Sequence, residues 1–303
     1  MRSRRSHQGI VDRDLSSISG RSPAPMPRSG KGLRMGRISD PETGNLVLIP
    51  MDHGMTVGPI PGLHDMKNTV EQVASGGATA VVMHKGLVRN TYRGYRDTGL
   101  IMHLSASTDL GPGADSKRIV TSVHEAVRSG ADAVSVHLNI GAETEAEMLE
   151  NIGSIAEDCE GYGMPLMIMA YPRGPEIRDG FDPEAVAHAA RVASELGADV
   201  VKCSYTGDID SFREVVRGAM VPVVIAGGPR MSSEEDLLEM VHASLQAGGR
   251  GVSIGRNVFQ HHDVVAITNA ISLMVKHGAT VEEVSEIIDN GDVHHAAASA
   301  RAK

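Results

Sequence analysis

Beyond Asn45 the chain alternates between short apolar runs and longer stretches with helical spacing. Eight β-prone runs stand out: LVLIPMDHG (46–54), ATAVVMHKG (78–86), LIMHLSAS (100–107), AVSVHLNIG (133–141), PLMIMAYPRG (165–174), DVVKCSYTG (199–207), VPVVIAGGP (221–229) and GVSIGRNVF (251–259). Most are almost continuously apolar, the pattern of parallel strands covered on both faces. Between them, segments such as DPEAVAHAARVASELGAD and SSEEDLLEMVHASLQAGG place apolar residues at helical intervals. Asp182-Pro183 marks a helix start, a capping side chain followed by proline at the first helical position. Gly76-Gly77, Gly130-Ala131, Gly197-Ala198 and Gly248-Gly249 mark helix ends, where a left-handed residue turns the chain back. Strand and helix alternating eight times predict a single-domain α/β fold, the (β/α)8 TIM barrel. A doubly wound open sheet competes, but the first βα turn has no GxGxxG and eight units close naturally.

Composition sets the limits. Of 303 residues, 41% are hydrophobic and 22% charged, enough for a sizeable core; aromatics are only 3%, so aliphatic residues and 16 Met must fill it. No apolar run approaches the ~18 residues needed to span a bilayer, so a transmembrane protein is not expected, nor a membrane partner. Two cysteines cannot make a disulfide framework, and a reduced, cytoplasmic setting fits best. Residues 1–30, rich in Ser, Arg, Gly and Pro, are expected to be a disordered extension without the apolar segment of a secretory signal. The barrel is expected over 31–290, with 291–303 a flexible tail. The net charge of −9 divides into about +7 up to Arg37 and about −16 beyond it. So acidic a body repels phosphate backbones and argues against nucleic acid as a partner.

In a barrel, function sits at the C-terminal ends of the strands. Those ends carry Asp52-His53-Gly54, His84-Lys85-Gly86, Ser105 to Ser107, His137 with Asn139, Tyr171-Pro172-Arg173-Gly174, Lys202 with Ser204, Gly227-Gly228 and Gly255-Arg256. Polar groups ending apolar strands carry a desolvation cost, and pointing at one mouth they imply a site. Glycines after strands seven and eight let backbone N–H groups approach an anion, and Arg256 adds a fixed cationic fork, so a phosphate site is expected there.

A lysine attacks a carbonyl only as the neutral amine, which burial or a nearby cation favours. Lys85 and Lys202 both qualify by position. Lys85 lies one strand from Asp52, whose carboxylate would keep it charged, so it is expected to be the ion-pair partner and Lys202 the nucleophile; the residues alone leave both open. Asp52 is the candidate proton acceptor and Tyr171 the candidate proton donor. Of the 14 histidines, His53, His84, His103 and His137 fall near the first four strand ends. They show no HxxxH or HxH spacing, so no metal is expected. His261-His262 and His294-His295 read as surface. Cys203 adjoins Lys202, and strand alternation turns it away from the interior.

Over about Gly32 to Ile288, the stretches VLIPMDHGMTVGPI, AYPRG, VKCSYTGDIDSF, VIAGGPR and GRNVFQHHD closely resemble the archaeal class I aldolase family. That resemblance implies a Schiff base on Lys202, Asp52 as base and Tyr171 as acid. It also implies substrate binding by Asp52, His53, Gly54, Met55, Thr56, Tyr171, Pro172, Arg173, Lys202, Gly227, Gly228, Gly255 and Arg256. Cys203 departs from the family pattern, where Thr is expected. The implied reaction is a transaldol transfer from 6-deoxy-5-ketofructose 1-phosphate to L-aspartate semialdehyde, with no cofactor. A fructose-bisphosphate aldolase, or a relative using dihydroxyacetone phosphate, is the alternative, and a noncatalytic sugar-phosphate-binding barrel a remote one. A homo-oligomer, a decamer of two pentameric rings, is also implied.

Overall fold

The computed structural model describes residues 30–289, so the expectations for the leader and for the tail with His294-His295 fall outside the described residues. Its strands are β1 (Leu46–Pro50), β2 (Ala80–Met83), β3 (Gly99–His103), β4 (Ser105–Ala106), β5 (Arg118–Ile119), β6 (Ala133–Ile140), β7 (Leu166–Pro172), β8 (Val200–Ser204), β9 (Val223–Ala226) and β10 (Gly251–Ser253). Eight of them close into a parallel barrel in the order β1-β10-β9-β8-β7-β6-β3-β2, with helices between successive strands. Each expected run contains one barrel strand, and the residues beyond it form the loop at the mouth. The third run behaves differently. After His103 the chain leaves the barrel, and β4 pairs antiparallel with β5 (Ser105↔Ile119, Ala106↔Arg118).

Alternation along each strand sorts the apolar residues into two cores. Leu46, Leu48, Val82, Ile101, Met169 and Val224 belong to the core inside the barrel. Their neighbours Val47, Ile49, Val81, Ile168 and Val201 pack in the layer between strands and helices. The aliphatic, Met-rich composition suits the narrow interior, where bulky branched side chains stack in layers. Asp182 caps the helix Pro183–Glu195 through the Ala185 amide, with proline at its start, as the sequence predicts. Gly77, Gly130, Gly197 and Gly248 all take positive φ at the expected helix ends.

The helix Gly30–Ile38 buries Met35 and Ile38 in the interior core and packs against β3 and β6. Its basic residues fasten it to acidic groups and free carbonyls. Lys31 lies 3.0 Å from Glu160 and 3.1 Å from Asp199, Arg34 donates to the Gly163 carbonyl at 2.9 Å, and Arg37 pairs with Asp132. Part of the positive charge at the start of the sequence therefore serves to dock this helix. No helix among the described residues is long and apolar enough to cross a membrane.

Phe212, fully buried on the helix Ile209–Ala219, is one of the few aromatic anchors and meets the Tyr205 ring edge-on at 5.2 Å. Phe212→Ala should destabilise the fold by about 3–5 kcal/mol, the usual cost of emptying a buried aromatic site. Urea unfolding followed by circular dichroism measures this, and a loss below about 1 kcal/mol would mean that the layer collapses around the cavity.

Candidate active site

Strand parity decides which polar side chains meet. Lys202 shares the inward face of β8 with Val200, and Tyr171 shares that of β7 with Met167 and Met169. The same parity, carried beyond β1 and along β2, β3 and β6, brings Asp52, His84, His103 and His137 to the mouth. Cys203 falls on the opposite face, buried among the outer apolar residues, as alternation predicts. In register, Lys202 lies between Met169 and Val224, so apolar neighbours flank its stem. It is 7% exposed.

The buried polar groups form one network. Asp52 approaches His103 Nε2 at 3.7 Å and His53 Nδ1 at 3.8 Å. His103 Nε2 lies 3.0 Å from His137 Nδ1, and its other ring nitrogen lies 2.8 Å from Ser135 Oγ. Ser105 Oγ accepts the His137 amide at 2.9 Å, which ties the β4–β5 excursion to the barrel. The Tyr171 ring is 6.0 Å from that of His137, and the Arg173 guanidinium sits 4.3 Å above the Tyr171 ring centre.

Burial governs the electrostatics. It lowers Lys202 to about 8; the Asp52 anion pulls upward, while Arg173 and Arg256 add to the fall. At that value roughly a tenth of the amine is neutral at pH 7, a few hundred times more than in an exposed lysine. Burial would raise Asp52, but His103, His53, His137 and Lys202 outweigh it and hold the carboxyl below the usual carboxylate range. Burial brings His103 down to about 4 against the pull of Asp52, and holds His137 well below its ordinary value. The site near neutrality therefore contains an anionic carboxylate, neutral imidazoles and an easily deprotonated lysine. Burial also raises Tyr171 above the ordinary phenol value, against Arg173, so it keeps its proton.

Gly227, Gly228, Gly255 and Arg256 come together beside this network. Gly228 takes φ +64. A Cβ on Gly255 would stand 2.6 Å from His53 Cε1 and 2.8 Å from the Pro50 carbonyl oxygen, so only glycine fits there. Arg256 donates to the Gly228 carbonyl at 2.9 Å, and Asn257 holds the same loop through the Gly227 carbonyl at 2.8 Å and the Met231 amide at 2.7 Å. Arg256 Nε is buried without a hydrogen-bond partner among the described residues. A buried guanidinium donor of this kind asks for an acceptor, which an anionic ligand would supply. Gly54, Met55 and Thr56 form a one-turn helix at the rim (Gly54–Val57), while Pro172 ends β7.

Some sequence expectations change. Lys85 does not pair with Asp52: it opens the helix Lys85–Thr91 and reaches Glu125 at 2.9 Å. Beginning a helix carries its side chain out to the rim, and His103 takes the place beside Asp52. His261 is not a surface residue; its side chain is 7% exposed and contacts Glu234 at 2.7 Å. Metal-type clusters, which the spacing does not reveal, do form: ligand atoms of Asp52, His84 and His103 lie within 4.8 Å of one another, as do those of Glu234, His261 and His262. Sequence reasoning also passes over Lys117. It is brought in by the β4–β5 pair, bonds Ser107 Oγ at 2.5 Å and is 8% exposed. Burial lowers its amine, Arg173 adds to the fall, and Asp115, Asp52 and Asp109 oppose it. A loop lysine has no strand-end position to betray it.

A closed parallel barrel with a buried lysine, its amine lowered to about 8, beside glycine-rich loops and a buried arginine at its mouth has the form of an aldolase-type enzyme. Residues 46–261 match the DeoC/LacD family of aldolases, and the chain belongs to that family. The 2-amino-3,7-dideoxy-D-threo-hept-6-ulosonate synthase 1 of Archaeoglobus fulgidus is 45% identical over 262 residues, 86% of this chain and 96% of that protein. The 2-amino-4,5-dihydroxy-6-oxo-7-(phosphonooxy)heptanoate synthase of Streptomyces griseus is 41% identical over 258 residues, 85% of this chain and 94% of that one. A solved structure of a Schiff-base-forming fructose-1,6-bisphosphate aldolase, studied through its reaction intermediates, superposes with a TM-score of 0.76 at 33% identity, covering 82% of this chain and 100% of that one.

Proposed function

We propose that the protein is a Schiff-base transaldolase. It moves a three-carbon unit from 6-deoxy-5-ketofructose 1-phosphate to L-aspartate semialdehyde and yields 2-amino-3,7-dideoxy-D-threo-hept-6-ulosonate, for 3-dehydroquinate and aromatic amino acid synthesis. The observation that carries this reading is Lys202, buried beside Asp52 with its amine lowered to about 8, in a chain so similar to a synthase of that name. The neutral amine attacks the ketone at C5, and loss of water gives an iminium. Asp52 removes the proton of the C3 hydroxyl; the C3–C4 bond breaks, its electrons pass into the enamine, and the phosphorylated dicarbonyl fragment departs. The enamine carbon then attacks the aldehyde of aspartate semialdehyde. Tyr171 gives its phenolic proton to the alkoxide formed, the proton taken up by Asp52 restores the phenol, and water releases the product and regenerates Lys202. Gly227, Gly228, Gly255 and Arg256 hold the phosphate. Lys117 and Arg173 receive the carboxylate of the acceptor, which needs a cation the phosphate cradle does not supply. The enzyme works as a cytoplasmic homo-oligomer.

A second reading rests on the Streptomyces relative. The product in its name keeps a phosphate on C7, which a phosphorylated three-carbon donor such as dihydroxyacetone phosphate would supply and a deoxy ketone would not. Product phosphorus separates the two. With the diketohexose phosphate and aspartate semialdehyde, mass spectrometry should show a phosphate-free aminoheptulosonate only when both partners are present. Dihydroxyacetone phosphate with the same aldehyde, and fructose 1,6-bisphosphate alone, should react far more slowly. A phosphorylated amino sugar acid formed rapidly from dihydroxyacetone phosphate would assign the second reading, and fast bisphosphate cleavage indifferent to the aldehyde would make the protein a fructose-bisphosphate aldolase.

A further inference from the structure

Glu234, His261 and His262 lie outside the reacting network, at the junction of two segments that hold the anion cradle. Glu234 opens the helix Glu234–Gln246, six residues after Gly228. His261 and His262 fill the turn between the short helix Arg256–Phe259, whose first residue is Arg256, and the helix Val264–His277. His261 Nε2 stands 2.7 Å from Glu234 Oε1, and His262 Nδ1 3.9 Å from the same oxygen. The two imidazole rings lie 4.3 Å apart.

The hydrogen bonding of His261 constrains what sits between it and Glu234. The Asp263 carbonyl oxygen is 2.7 Å from Nδ1, closer than the Asp263 amide nitrogen at 3.1 Å. With Nδ1–H given to that carbonyl, Nε2 meets the Glu234 carboxylate through a second proton or through a bound cation; with the proton on Nε2 instead, Nε2–H donates to Glu234 and Nδ1 accepts the Asp263 amide. A histidine whose far nitrogen is fixed by a backbone carbonyl is the usual arrangement of a metal ligand. A lone proton would account for His261 and Glu234 but gives His262 no part.

We propose that Glu234, His261 and His262 bind a divalent cation of the zinc class, with water completing its coordination. Two imidazoles and one carboxylate are the donor set that suits Zn2+, Co2+ or Ni2+ over Mg2+ or Ca2+. Around a tetrahedral ion with bonds of about 2.0–2.1 Å, ligand atoms stand roughly 3.4 Å apart. The 2.7 Å contact must open and the 3.9 Å contact close, each by less than about 1 Å. Glu234 at 41% and His262 at 77% exposure have the room to move, while His261 at 7% is the fixed point. The ion would clip the loop after β9 to the turn after β10, and so hold the two glycine-rich halves of the cradle in one arrangement. Its role is structural, remote from Lys202.

Calorimetric titration of Zn2+ into chelator-treated full-length protein reads this directly, with Mg2+ as the comparison. His262→Ala and Glu234→Gln alter exposed side chains and should fold as the parent does. The parent should bind one more Zn2+ equivalent than His262→Ala. Glu234→Gln should weaken that equivalent by at least about tenfold. Zn2+ should also raise the parent Tm, because an ion held only by the folded chain stabilises it, and should raise that of His262→Ala less. Equal Zn2+ stoichiometry and affinity in the parent and both variants would overturn the proposal, as would a parent that binds Mg2+ as well as Zn2+. Neither variant touches the reacting groups, so the outcome is independent of the aldol reading.

Discussion

Lys202→Met should lose turnover by roughly four orders of magnitude or more, because the covalent route disappears with the amine. Borohydride added with the ketone substrate should leave a mass adduct on the Lys202 peptide of the parent and none in the variant. The pH dependence follows from the lowered amine, at about 8. Below that value the lysine is cationic and cannot attack; above it the neutral fraction saturates. The trapping rate should therefore rise with pH through about 8 and level off. An exposed lysine would still be climbing near 10. An adduct on Lys85 or Lys117 would overturn the assignment, since these are the other lysines near the mouth. Met keeps the apolar stem that packs between Met169 and Val224, so a folding defect should not obscure the result.

Asp52→Asn should lower turnover by about 10²–10⁴, the usual contribution of a general acid–base group. Two effects separate a proton-transfer role from a merely structural one. Asp52 is the one group pulling the Lys202 amine upward, against burial, Arg173 and Arg256. Removing its charge should shift the trapping profile to lower pH, with Schiff-base formation retained while C–C cleavage fails. The variant should thus accumulate a borohydride-trappable adduct that does not turn over. The imidazoles should respond as well, because Asp52 favours the charged form of His103 and His137; without it they should stay neutral to still lower pH. Normal turnover in Asp52→Asn, or a profile unmoved from the parent's, would leave Asp52 as a structural partner of His103.

The eight strand–helix units, the helix starts at caps such as Asp182 and the glycine helix ends were all legible in the sequence, because they follow from local periodicity and backbone preference. So was the inward placement of Tyr171 and Lys202, and the outward placement of Cys203. Once a strand is recognised, side-chain alternation is fixed by geometry. The motifs also carried the glycines gathered beside the network, since close packing demands glycine at positions such as Gly255. Contacts between distant segments were not legible. Lys85 and Asp52 sit at adjacent strand ends, yet helix initiation turned Lys85 toward Glu125 and left His103 beside the carboxylate. Lys117 reached the mouth only because β4 and β5 pair outside the barrel. Glu234 met His261 and His262 through the parallel pairing of β9 with β10, which set the helix after β9 against a turn after β10. The sequence by itself determined the elements, their order and which face of each strand looks inward, because these depend on near neighbours in the chain. Only the tertiary structure decided which charges meet and how far burial displaces Lys202, because desolvation and Coulomb interaction depend on distances that chain position does not encode.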